Sequence, residues 1–163
     1  MLLKYRLAAA DASHGNYSVS ASLGGTLPTS SYKNGSLDAT ILPTVCAGKG
    51  FGRLDVQSTL GATLPVADTV TLGRVVAWNS VAQVRIGKIF WPEVEDDAFF
   101  YHAGPNDGRV QNFVTPGLIV TKIKFNRESH SRRALVFGGG MQIATSRFHT
   151  YNHGLVLTVR TLF

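Results

Sequence analysis

Cysteine, long apolar runs and blocks of one charge are all scarce in this chain. A single cysteine, Cys46, excludes an internal disulfide framework and any cysteine-based zinc cluster. In a strand it reads simply as a small residue. A membrane-crossing helix needs about 20 consecutive apolar residues, and nothing here approaches that. The longest mostly apolar window, 134–146, contains three glycines and a glutamine. Helix-favouring runs of Ala, Glu, Lys and Leu are missing as well. Near the N-terminus, Lys4 and Arg6 break the only apolar stretch, where a secretory signal would need an uninterrupted one. The expectation is therefore that the chain is not exported, or that its natural beginning lies upstream. The net charge of +6 favours anionic partners, but the basic residues are spread over turns, and only Arg127, Arg132 and Arg133 cluster. Without a basic stripe interleaved with aromatics, nucleic acid is not an expected partner.

What the chain does have is 17 glycines, abundant Ser and Thr, and an apolar content of 44% in 163 residues. That length suits one domain, 1–163. Its dominant period is two. Tyr17, Val19, Ala21 and Leu23 alternate with serines, and Leu54, Val56, Leu60, Ala62 and Leu64 with Asp55, Gln57, Thr59 and Thr63. Val76, Trp78, Ala82 and Val84 alternate with Asn79, Gln83 and Arg85, and Leu135, Phe137, Met141 and Ile143 with Gly138, Gly140 and Gln142. Such alternation marks strands whose two faces meet different environments. The runs are about 10 to 15 residues long, against about five or six in an ordinary soluble sheet. Turn signals separate them. About nine strands are predicted, near 2–9, 16–26, 38–48, 52–65, 74–88, 91–99, 110–125, 133–147 and 153–163, with no helix.

A soluble barrel turns its apolar face inward; an outer-membrane barrel turns it to lipid and encloses the polar face. Strand length, small polar residues on the second face and aromatics near strand ends favour the second arrangement. The predicted fold is an all-β, antiparallel, up-and-down transmembrane β-barrel in a bacterial outer membrane, with outer-membrane lipid as a partner. The last strand, with Leu155, Leu157, Val159, Thr161 and terminal Phe163 on one face, looks like the C-terminal signal by which such barrels are recognised by the barrel assembly machinery.

Several stretches carry a more specific resemblance: "HGNYSVSASLGGTLPT", "GKGFGRLDVQSTLGATLPV", "WPEVE", "NDGRVQNFVTPGLIV" and "GGGMQIATSRFHTYNHGLVLTVRTLF". Together they resemble the outer-membrane transporter-like proteins of the meta-pathway of phenol degradation. The resemblance implies passive uptake of small hydrophobic or aromatic compounds, with no enzymatic step and no cofactor. Members of that family are longer at the N-terminus and carry a signal peptide. Set beside the even strand numbers of bacterial barrels, this makes an N-terminally incomplete barrel the expectation.

The expected solute path is lined by Asp55, Gln57, Asn79, Gln83 and Arg85 from the middle of the chain. Glu93, Glu95, Gln142 and Arg160 line it from the later part. Glu93 and Glu95 share one face, opposite Pro92 and Val94; a carboxylate is costly in lipid, so both are expected inside. They are read as a charge pair for solute or as a salt-bridge network with Arg85 and Arg160. His149 and His153 sit four apart in a hairpin loop and read as turn residues, not as metal ligands. "GKGFG" lacks the Ser or Thr and the helix that a phosphate cradle needs and reads as a strand turn. Counting back from a periplasmic C-terminus, "NRESHSRR" and "AGKGFG" become periplasmic turns. "PTSSYKNGS", "PVADTVTLG", "HTYN" and the long 96–109 segment become extracellular loops, the last a candidate plug. The alternatives are a soluble lipocalin-like ligand-binding barrel and a structural barrel without a through-pore.

Overall fold

The computed structural model describes residues 1–28, 38–124 and 134–162. Nine strands follow one another: β1 (Leu2–Ala10), β2 (Tyr17–Thr26), β3 (Thr40–Phe51), β4 (Leu54–Pro65), β5 (Arg74–Val84), β6 (Phe90–His102), β7 (Val110–Lys124), β8 (Ala134–Ala144) and β9 (His153–Leu162). Each pairs antiparallel with the next, giving one sheet in the order β1 to β9. The fold is all-β and up-and-down, but the sheet is open: no pairing joins β1 to β9 among the described residues. "NRESHSRR", most of "PTSSYKNGS" and Phe163 lie outside the described residues.

Two stretches differ from the sequence expectation. The segment expected as a long loop from residue 96 is strand as far as His102. Its aromatics are locked on both sides, Phe100 opposite Val76 and Val110, and Phe99 opposite Ala77 and Gln111. Only Ala103–Arg109 remain as a connection, tightened by a 3₁₀ turn at Gly104–Asn106. The β4–β5 loop contains one helical turn, Thr69–Leu72, too short to register in a periodicity.

Residues directly opposite in an antiparallel pair share a face, so the registers sort the whole sheet. One row runs Tyr5, Ala21, Val45, Leu60, Trp78 and Ala98. The row beside it runs Cys46, Thr59, Asn79, Asp97, Phe113 and Ala144. The first belongs to an apolar face, the second to a polar one. Burial is concentrated on the polar face of β7, where Phe113 is 2% exposed. On the apolar face the large side chains stand open, with Trp78 53% and Leu157 73% exposed.

Glycines let β7, β8 and β9 approach closely. A Cβ at Gly140 would lie 2.9 Å from both the Pro116 carbonyl and the Thr115 methyl, and one at Gly138 would lie 2.6 Å from the Thr158 methyl. At the other end of the sheet, Asp11 organises the β1–β2 turn. Its carboxylate accepts from Ser13 Oγ at 2.7 Å and from the Ser13 and His14 amides at 3.0 and 3.1 Å, and lies 2.8 Å from His14 Nδ1.

Gly140→Val is therefore expected to destabilise the fold by about 1–3 kcal/mol, as overpacking does. Gly25→Val, whose added Cβ would meet nothing nearer than 3.7 Å, should leave the denaturation midpoint almost unchanged. Equal midpoints for the two variants would contradict the close approach. The Ser13 side-chain hydrogen bond, and then that of His14, hold the Asp11 carboxyl below its ordinary value of 3.8. A lowered folded-state value means the turn's stabilisation is present above the ordinary value and lost as pH falls through the lowered one. The Ser13 and His14 amide resonances should report that loss in an NMR titration, and Asp11→Asn should abolish it.

Candidate functional site

The polar face is built by parity. On β6 the odd positions Trp91, Glu93, Glu95, Asp97, Phe99 and Tyr101 point one way, because strand side chains alternate. Their partners on β5 are Gln83 opposite Glu93, Val81 opposite Glu95, and Asn79 opposite Asp97. On β4, Gln57 lies opposite Val81 and Thr59 opposite Asn79; Asp55 pairs with Gln83 and with Gly50 of β3. The other partners of the β6 residues are Gly117, Thr115 and Phe113 of β7. Thus Asp55, Gln57, Asn79, Gln83, Glu93 and Glu95 form one continuous patch. Arg85 follows β5 and places its guanidinium carbon 6.0 Å from the Trp91 ring centre. Gln142 on β8 and Arg160 on β9 share the same face, with Gln142 opposite Gly154 and Arg160 opposite Val136.

Two cavities open on this face. One, of about 570 Å³, lies over β1 to β4 between Lys4 and Arg6 on one side and Asp55 and Gln57 on the other, with Ser20 and Cys46 in its floor. The other, of about 240 Å³, is lined by Gln57, Thr59, Asn79, Val81, Glu95 and Asp97 together with Ser80. The face is therefore basic at the β1 edge and acidic in the middle.

Among the described residues the salt-bridge network expected around Glu93 and Glu95 does not form. The acid–base contact within 4.0 Å among the described residues is His14 with Asp11, an ion pair only when the histidine is protonated. Arg160 acts on both glutamates through space but remains exposed. What braces the site is a hydrogen-bonded arch over β7. Gln142 Nε2 donates to Asp97 Oδ2 at 3.2 Å, and the Tyr151 hydroxyl donates to Gln142 Oε1. The Tyr151 ring stacks on Phe113, centroids 4.7 Å apart and planes 18° apart. Phe113 is thereby sealed beneath a tyrosine from the β8–β9 loop. At the same end Arg109 covers Phe148 at 4.7 Å, and Tyr101 meets Phe148 edge-on at 5.7 Å.

Sequence reasoning missed Asp97, Thr115 and Tyr151. Asp97 has the parity of Glu93 and Glu95 and lies inside the strand expected over 91–99, but the overlapping loop reading of 96–109 kept it out of the path. Tyr151 gave no signal, because a loop residue has no period. His149 braces its loop, with Nδ1 2.8 Å from the Ser146 carbonyl and Nε2 2.7 Å from Asn152 Oδ1. Among the described residues no cluster of His, Cys, Asp or Glu is arranged to hold a metal. The residues read as the assembly signal, Leu155, Leu157, Val159 and Thr161, lie together on the exposed apolar face of β9.

The apolar face carries a polar row of its own. Ser58, Ser80 and Asp96 are direct cross-strand neighbours. Trp78 Nε1 donates to Ser58 Oγ at 2.8 Å, Ser58 and Ser80 hydroxyls are 3.0 Å apart, and Asn112 Nδ2 donates to Asp96 at 3.0 Å. Comparison of the chain with protein-family models, curated proteins and solved structures found no match in any of the three.

If the arch holds Phe113, Tyr151→Ala should destabilise the protein more than Tyr151→Phe. The phenylalanine keeps the stack and forfeits one hydrogen bond, about 0.5–1.5 kcal/mol; the alanine also loses an aromatic pair worth about 0.5–1.5 kcal/mol beyond its buried area. Thermal melts of the two variants, with near-ultraviolet circular dichroism as the packing readout, test this. Identical melts would remove the stack from the account.

Proposed function

We propose that the chain forms the wall of an outer-membrane β-barrel that lets small hydrophobic or aromatic solutes pass without chemical change. The observation that carries this reading is the direction of the apolar side chains. Leu60, Trp78, Val94, Met141, Leu155, Leu157 and Val159 are all exposed, and all lie on the face opposite the two cavities. Contiguous apolar surface spread over nine strands needs an apolar surrounding, and acyl chains provide one. A water-soluble ligand-binding barrel would place these residues around its cavity instead. Strands of 9 to 15 residues also match the about 9–11 residues that a tilted strand needs to cross a bilayer. The polar face would then line the path, with solute preference set by its width and its charges. The aromatic cluster of Tyr101, Phe148, Tyr151 and Phe113 would stand at the extracellular mouth, a more substantial barrier than the short 103–109 connection.

Fractionation tests the surroundings: the protein should partition with membranes and need detergent for extraction, and recovery in a detergent-free soluble fraction would refute the reading. In bilayers, Leu60→Arg should cost about 2–4 kcal/mol of unfolding free energy, the cost of a cation facing lipid. Gln83→Arg, on the polar face opposite Glu93, should cost nearly nothing. Flux of small aromatic compounds into liposomes carrying the protein tests the path, and silence with every solute tried would favour a purely structural barrel.

A further inference from the structure

The geometry points to a binding station for small organic ammonium ions on the polar face, centred on Glu95 and Asp97 between β5 and β7. Three carboxylates, Glu93, Glu95 and Asp97, stand at successive positions of one strand face. Gln142 donates to Asp97, but Glu93 and Glu95 receive no hydrogen bond from any described residue, and among the described residues no cation lies within ion-pair distance of them. Such charges, half-withdrawn from water, lack the compensation that buried charges ordinarily have.

Acidity alone would not make a site; the neutral groups around it give independent support. Thr115 is 3% exposed, its Oγ1 has no hydrogen-bond partner, and it is the direct cross-strand neighbour of Glu95. Its methyl is the group that meets the Gly140 position on the β8 side. Across the strand, Asn79 Oδ1 is likewise buried and unpartnered, beside Asp97, and Asn79 lines the cavity of about 240 Å³ with Glu95 and Asp97. Buried polar atoms without partners are rare in folded proteins and call for an explanation. Here the orphaned Asn79 oxygen is an acceptor, and it adjoins carboxylates that are acceptors too. The complementary ligand brings several N–H donors and positive charge.

An organic ammonium fits better than a bare metal ion. Among the described residues no His, Cys, Asp or Glu group is arranged to chelate one. The acidic row is instead flanked on its own face by Trp91 and Phe99, surfaces suited to a carbon skeleton and to cation–π contact. Arg85 already covers Trp91, which leaves Phe99 beside Asp97 as the aromatic wall. This inference deepens the proposed solute path, on which it rests for its role, by naming cationic aromatic amines as the solutes held there.

The test is equilibrium titration of the full chain with benzylammonium, benzyl alcohol and benzoate, read by calorimetry. Benzylammonium should bind about tenfold or more tighter than either of the others, the worth of a charge-assisted hydrogen bond, and salt should weaken it. The Glu95→Gln/Asp97→Asn double variant should lose about tenfold or more, and Thr115→Val should lose affinity while retaining the wild-type circular dichroism spectrum. Equal binding of the alcohol or benzoate to the wild-type protein would overturn the assignment even if every variant misfolded, as would unchanged affinity in a folded double variant. Because the readout is binding and not passage, it stands apart from the flux and fractionation experiments: a chain that binds benzylammonium but conducts nothing refutes the path and leaves the station.

Discussion

Cross-strand pairing is the constraint on which the rest of this structure depends. Each strand hydrogen-bonds to its sequence neighbour, and opposite residues share a face, so one parity choice propagates through eight successive pairings. A slip of one residue at any of them would send every later carboxylate to the apolar side. The ladder tolerates irregularity only where it does no such harm. Between Arg6 and Ala8 the register shifts, which absorbs Leu7 and keeps Lys4 and Arg6 on the polar face with Ser22 and Ser20. A second shift lies between Val120 and Ile123, beyond the site.

The same ladder explains where stability does not come from. Among the described residues the buried apolar side chains are Ala98, Phe113 and Ala134, far short of a conventional core. Backbone pairing, close glycine contacts and the arch over Phe113 give the sheet its internal order. Most of its apolar area is turned outward, where hydrophobic stabilisation can come only from what surrounds the sheet. Lipid as that surrounding is the proposal made above, and it is consistent with the placement of charge. On the described strands every glutamate lies on the polar face, and Asp96, which does not, takes a hydrogen bond from Asn112. Carboxylates on a lipid face cost less than basic residues do, and a satisfied one less again.

Much of this was legible in the residues because period-two alternation reports strand existence and facing together. All nine strands fall within a few residues of their expected positions, and the expected path residues of β4, β5, β6, β8 and β9 lie on one face. The reading failed where alternation stopped. At Asp96–Tyr101 two adjacent acids and three adjacent aromatics hide the period, so the strand expected over 91–99 and the loop expected over 96–109 overlapped, the strand's last residues were missed and Asp97 was left out of the path. Ser58 and Ser80 looked like ordinary strand residues, and only the register shows them joined to Asp96 and, through its amide donor, to Asn112. The predicted salt bridges failed for a different reason: sequence places Arg160 and Glu93 on the same face but carries no information on the distance across three strands. A surrounding membrane, an assembly signal and a transported solute are not decided by parity, because a lipid-facing and a core-facing apolar strand have the same pattern.

Strand count adds a last geometric condition. With nine strands alternating in direction, β1 and β9 run the same way. Bringing their edges together would create a parallel seam in an otherwise antiparallel sheet, with slanted and slightly weaker hydrogen bonds. An antiparallel seam needs an odd number of strands between them. In lipid neither edge could remain unpaired, since each open N–H and C=O would go unsatisfied. The apolar faces of the two edge strands, Leu3 and Tyr5 on β1 and Leu155, Leu157 and Val159 on β9, are both exposed. Any strand that completes the ladder must therefore continue the alternation already present at both edges, apolar beside these residues and polar beside Arg6 and Arg160. The charged, donor-rich β1 edge and Arg160 would then face the acidic row across the enclosed space. That would place cationic walls opposite the carboxylates of β6, and the electrostatic gradient along the polar face would become a property of the closed ladder as a whole.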